Sequence, residues 1–133
     1  MIRFAIPAVL LLAGCTATSD PAADQRAEAE LQQALAGLVP GEPQRCIYSN
    51  RVNRIEGAGD AILFIEGRNR IWRSDTAGGC SALRFNDILV TESPIAGQYC
   101  AGDIARTRAP TGGQITGSCS FGEFVPYTRP GTE

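Results

Sequence analysis

Lysine and histidine are absent from the 133-residue chain, and tryptophan and methionine occur once each. Without histidine there is no side chain that titrates near neutrality, no Ser–His or Cys–His nucleophile pair and no imidazole ligand for zinc. Without lysine there is no Schiff-base nucleophile. Most familiar catalytic mechanisms are thereby excluded. The cysteines include no C-x-x-C pair, and no internal repeat is present. Long hydrophobic runs are missing too: residues 4–12 would span about 13 Å as a helix, against a bilayer core of roughly 30 Å. All 12 basic residues are arginine and lie scattered among 14 acids, for a net charge of −2. That distribution forms no basic stripe for nucleic acid, and nothing in it implies a cofactor.

What is present begins with an address. Residues 1–14 read as an export signal, with Arg3 as its charge, residues 4–12 as its apolar stretch and Ala13-Gly14 as its small-residue end. The string Leu12-Ala13-Gly14-Cys15 resembles the bacterial lipobox, in which the cysteine is acylated and the peptide is then cut before it; an ordinary signal peptide with an incidental cysteine is the alternative. Each buried methylene contributes about 0.8 kcal/mol, so two or three acyl chains on Cys15 would hold the protein at a membrane essentially permanently. Bacterial lipoproteins kept at the inner membrane typically carry Asp after the cysteine. Thr16 stands there instead, so the resemblance points to the outer membrane and a domain facing the periplasm.

Residues 15–42 are expected to form an anchored tether and a helix, and residues 43–130 a β domain. Residues 16–24 carry no large apolar side chain and suit a tether. Over residues 24–38, Ala27, Leu31, Leu35 and Leu38 recur at helical spacing and mark one narrow apolar stripe, with Pro40-Gly41 as the expected stop. Three leucines predict a partly exposed helix. From residue 43 the period shifts towards strands at 52–56, 61–66, 70–74, 88–92, 103–107 and 123–127. Gly57-Ala58-Gly59-Asp60, Gly67-Arg68-Asn69 and Pro110-Thr111-Gly112-Gly113 supply turn chemistry between them. The expected fold is mainly β: a meander opening a small antiparallel sheet that curls into a barrel or sandwich, preceded by a short helix. Gly78-Gly79 and the stretch around Pro94 read as surface loops.

So small a core is marginal by itself, and four further cysteines offer a remedy. Cys46, Cys80, Cys100 and Cys119 form an even set in an exported chain, which predicts two disulfides of about 2–4 kcal/mol each rather than a four-thiolate metal site. A hairpin turning at Thr111 and Gly112 would set Cys119 opposite about Ile104. Cys100 then lies roughly 13 Å along the strand, beyond the Cα separation of about 7 Å that a disulfide allows. A Cys100–Cys119 bridge is therefore disfavoured, and the other two pairings remain open.

The constellation Cys46-Ile47, Val52-Asn53-Arg54-Ile55, Ile62-Leu63-Phe64, Asn69-Arg70-Ile71-Trp72-Arg73-Ser74, Cys80, Cys100-Ala101-Gly102-Asp103-Ile104 and Cys119 before Gly122-Glu123-Phe124 resembles an uncharacterised bacterial family. Its members are small four-cysteine envelope proteins, known only as a domain of unknown function. The resemblance implies an exported, strand-rich, four-cysteine domain and brings no activity, ligand or site residue.

Candidate contact residues come from the strand pattern. Alternation puts Arg70, Trp72 and Ser74 on one face and Arg73 and Asp75 on the other; an arginine beside a tryptophan could receive a sugar, a peptide or an anion, or the tryptophan could anchor the core. Asp103, after Gly102, is either a functional residue, as the acid of a hydrolase or a ligand contact, or a turn cap. Glu56, Asp60 and Glu66 flank a hairpin and form the best candidate for a hydrolase-type carboxylate pair. Arg51, Arg54, Arg68, Arg70 and Arg73 give the meander an anion-binding character that Glu56, Glu66 and Asp75 are placed to neutralise. The expectation is an outer-membrane lipoprotein with a non-enzymatic binding or structural domain, its partners the membrane through the anchor and an envelope protein or anionic envelope component. An inhibitor of a cell-wall hydrolase and a carboxylate-based hydrolase are the alternatives.

Overall fold

The structure, a computed structural model, describes residues 20–131; the expected export signal, Cys15 and most of the expected tether lie outside that range. One helix, α1 (Pro21–Ala34), is followed by nine strands: β1 (Val39–Pro40), β2 (Cys46–Tyr48), β3 (Arg54–Ala58), β4 (Ala61–Glu66), β5 (Arg70–Gly78), β6 (Ile88–Glu92), β7 (Gln98–Cys100), β8 (Ile104–Arg108) and β9 (Ile115–Thr128). Short 3-10 turns occupy Ser49–Arg51 and Ser81–Phe85. No described helix is long and apolar enough to cross a membrane.

The main sheet runs β3-β4-β5-β9-β8-β6, all antiparallel, with β1 pairing the far end of β9. It curls into a half-barrel. β2 and β7 form a separate two-stranded ribbon. The expected mainly-β fold is thus observed, and β3, β4 and β5 make the expected meander. Alternation divides the sheet into two faces. On the inner face Ile62, Phe64, Trp72, Phe121 and Phe124 meet Ile47 from the ribbon and Leu83 from the second 3-10 turn. The rings of Phe64, Phe121 and Phe124 lie 5.4 to 5.9 Å apart in edge-to-face contacts, the geometry that aromatic quadrupoles favour. The buried polar residues on this side are paired: Ser74 donates to the Gly122 carbonyl at 3.0 Å, and Thr107 accepts from Thr116 at 2.9 Å.

Both disulfides tie other elements to this core. Cys46–Cys100 joins directly opposed residues of the ribbon, Cα atoms 4.1 Å apart, and Cys80–Cys119 joins the end of β5 to β9. The disfavoured Cys100–Cys119 bridge does not form. The register that excluded it was one residue off, because Cys119 faces Ala105 and not Ile104, after a shift between Thr107 and Arg108. Gly78-Gly79 is not a free loop either. Gly78 is the last residue of β5 at φ +109, and a Cβ there would lie 2.7 Å from the Ser118 carbonyl, so only glycine allows β5 to approach β9 next to the disulfide.

On the outer face α1 packs Leu31 and Leu35 against Ala58, Ala61 and Leu63. It starts and stops three or four residues before the apolar stripe suggested. Asp20 caps it by accepting from the Ala22 N–H at 3.0 Å, with Pro21 at its first position, a strong start signal. Gly37 at φ +78 supplies the left-handed turn that ends it. Beneath the helix, Gly59 at φ +59 makes the β3–β4 turn; a Cβ there would meet the Ala27 carbonyl at 2.6 Å. As expected of three leucines, the rest of the helix is exposed.

Candidate functional site

The structure turns most of the sequence-derived candidates inward or neutralises them. Trp72 is 5% exposed. It stands between Phe64 and Pro126 in the sheet, and its indole N–H donates to Glu66 at 2.7 Å. Arg70 lies over the ring at 5.5 Å, with its nearest nitrogen 3.7 Å from Glu66. The pair is a core anchor with a charged lid, and the indole presents no open face. Asp103, 7% exposed, accepts from the Cys100 N–H at 2.9 Å and from the Ser93 hydroxyl at 2.7 Å. It caps the turn after β7 and fastens the neighbouring loop, which is the structural one of its two expected roles.

Arg73 lies on the outer face, its Nε 2.8 Å from Asp75 and Nη1 3.5 Å from the Tyr127 hydroxyl. Burial works against its charge, but the bonds to Asp75 and Tyr127 outweigh that and raise its pKa above the ordinary guanidinium value. Asp24, Glu28 and Asp60 line a cleft of about 310 Å³ beside it, under the first turns of α1. No group of three or more Asp, Glu or Cys among the described residues is arranged to hold a metal.

Nor do the hairpin carboxylates converge. Glu56 is on the outer face and pairs with Arg54 at 2.6 Å; Glu66 is on the inner face with Trp72; Asp60 sits in the turn between them. A sheet separates the first two, so the carboxylate pair required by the hydrolase alternative is not assembled from these residues. The acids expected to offset the meander arginines are the ones that do: Glu56 with Arg54, Glu66 with Arg70, Asp75 with Arg73.

What remains open is a surface that residue-by-residue reading missed. Beyond α1 the outer face continues across β6, β8 and β9 without cover. Register sets its residues in three rows: Ile88–Arg108–Ile115, Val90–Arg106–Ser118 and Glu92–Ile104–Ser120. Ile88 is 52% exposed, Val90 38%, Ile104 41% and Ile115 58%. Arg106 pairs with Glu92 at 2.8 Å. On β8 the small residues point inward, Ala105 and Thr107 both at 0% exposure, because the Cys80–Cys119 bridge fills that side: the Cys80 sulfur lies 3.8 Å from the Ala105 carbonyl. The larger Ile104, Arg106 and Arg108 are thereby directed outward. Alternation over residues 104–108 was the available signal, but it is misleading under the usual rule that the bulkier apolar set faces the core.

Where β6 ends the half-barrel, it faces β3 across a groove of about 340 Å³ lined by Val52, Ile55, Leu83, Leu89 and Tyr99. These two edges are not joined by strand pairing. The open face therefore borders an unclosed seam, at which Val52, Ile55, Leu89 and Tyr99 are partly buried against the core. No protein-family model, no curated protein and no solved structure matches this chain.

Proposed function

We propose that the protein is an acylated outer-membrane lipoprotein whose disulfide-stapled half-barrel is a non-enzymatic binding module facing the periplasm, with the open face of β6, β8 and β9 as its binding surface. The observation that carries this reading is the arrangement of Ile88, Val90, Ile104 and Ile115 around Arg106 and Arg108 on an uncovered sheet. Exposed aliphatic side chains interleaved with arginine mark interaction sites in folded proteins. The lipobox-like string ending at Cys15 supports the anchor. Two disulfides support an oxidising compartment. The separation of Glu56 from Glu66 argues for binding over hydrolysis.

Three measurements test the reading. Cys15→Ser should move the protein from the membrane to the soluble fraction, and unchanged fractionation removes the anchor. Alkylation without reductant, followed by mass measurement, should find no free thiol at Cys46, Cys80, Cys100 or Cys119. A photoreactive residue at position 90 should crosslink in living cells to an envelope component, whereas the same probe at Tyr48 should not; equal patterns at both positions would remove the binding surface.

A further inference from the structure

We infer that the open face lies flat on an anionic lipid surface, its four aliphatic side chains in the headgroup layer and Arg108 against a lipid phosphate. The inference rests on the anchor reading above and names the occupant of the surface assigned there.

The path of the chain is the first argument. α1 lies on the outer side of the sheet, and its first turns stand over Asp60, Asp75 and Thr76. From Thr76, β5 continues through Ala77 and Gly78 beside Ser120 and Cys119, into the uncovered half. The first turns of α1 therefore stand next to the stretch of β5 that leads into the open face. Four residues lie between Cys15 and Asp20, a reach of at most about 17 Å. Acyl chains on Cys15 would hold this side of the domain, and not the ribbon side, near the bilayer.

Charge is the second. The open face offers two arginines, Arg106 and Arg108, among four aliphatic side chains, and Glu92 is engaged by Arg106. Arg108 has no carboxylate within ion-pair distance among the described residues. A guanidinium ringed by isoleucines matches a phosphate above acyl chains, because its stem stays in apolar surroundings while its head reaches the charge. Of the outer-face acids, Glu92 is paired with Arg106, Glu56 with Arg54 and Asp75 with Arg73, while Asp24, Glu28 and Asp60 line the cleft at the first turns of α1.

Size is the third. Three strands about 4.8 Å apart and five residues long present roughly 240 Å², well under the roughly 800 Å² per partner of a stable protein–protein interface. So small a surface holds a partner only when something else keeps the local concentration high. An acyl anchor does that for lipid and for no particular protein.

The test uses the full acylated chain, reconstituted into vesicles of phosphatidylglycerol and phosphatidylcholine. Ile115→Trp places a fluorescent probe in the face, and Tyr48→Trp, on the exposed side of β2, serves as control. The unsubstituted chain gives the background from buried Trp72, and intact-mass measurement confirms the acyl group and both disulfides. Brominated phosphatidylglycerol should quench the probe at 115 and leave the probe at 48 unchanged. Adding Arg108→Glu to Ile115→Trp should reduce that quenching at least twofold. Equal response of the two probes, or no quenching at 115 in a chain shown to be acylated, overturns the inference; in the second outcome the face is left open to a protein. A chain without the acyl mass overturns the anchor instead, a failure distinguishable from the other two.

Discussion

The two halves of the outer face belong to one continuous sheet and differ in what they admit. Under α1 the strands present small residues, Ala58, Gly59 and Ala61, and the helix fills the hollows with Leu31 and Leu35 until all but the glycine of these, with Leu63, fall between 1% and 8% exposed. Across β6, β8 and β9 the outward residues are mainly β-branched or charged, with Ser118 and Ser120 on β9, and the aliphatic ones stay 38% to 58% exposed. Among the described residues no helix covers them. A layer can dock on a sheet only where the sheet leaves it volume, so the boundary of α1's footprint is set by residue size as much as by hydrophobicity.

Matched truncations on the two halves should break most unequally. Leu63→Ala, under the helix, should cost about 2–5 kcal/mol in urea unfolding, whereas Ile104→Ala on the open half should stay within about 0.5 kcal/mol; similar losses would mean the open half is covered in solution. Gly59→Ala should cost about 1–3 kcal/mol, since it places a Cβ in left-handed backbone and against Ala27. Its effect should be largely lost in a Leu31→Ala, Leu35→Ala background, where the helix is already loosened. The smallest effect is expected at the ion pair that ties α1 to the second 3-10 turn, Arg84 with Glu30. Partly exposed pairs contribute about 0.2–1 kcal/mol, and a double-mutant cycle at these two residues measures it. A coupling near zero would show that apolar contact alone seats the helix.

Much of the architecture was legible because strand alternation and turn residues are local. The meander from 54 to 74 follows from Gly59-Asp60 and Gly67-Arg68-Asn69 between apolar runs, and the disulfide cysteines from parity and compartment. The start of α1 lies at Asp20-Pro21, inside the stretch expected to be tether, because an apolar stripe does not mark helix ends. Strands β2 and β7 escaped notice because three residues carry too little pattern; their pairing depends on a cross-strand disulfide. The open face was hidden for a different reason. Which side of β8 is inside depends on a sulfur bridge from residue 80, a non-local fact that no window over 104–108 contains. Trp72 and Asp103 had chemistry suggestive of contact, yet each satisfies its polar atoms within the fold.

β9 has a consequence for assembly. It is the strand on which both halves of the sheet hang: it pairs with β5 on one side, with β8 and β1 on the other, and bridges Gln44 through Phe124. It is also the last of the described strands in chain order. A polypeptide emerging N-terminus first, from a ribosome or through a translocation pore, can form the β3–β5 meander early but has nothing to lay β8 against, and Cys80 has no correct partner, until residue 119 arrives. The topology thus delays closure of the sheet until β9 has emerged.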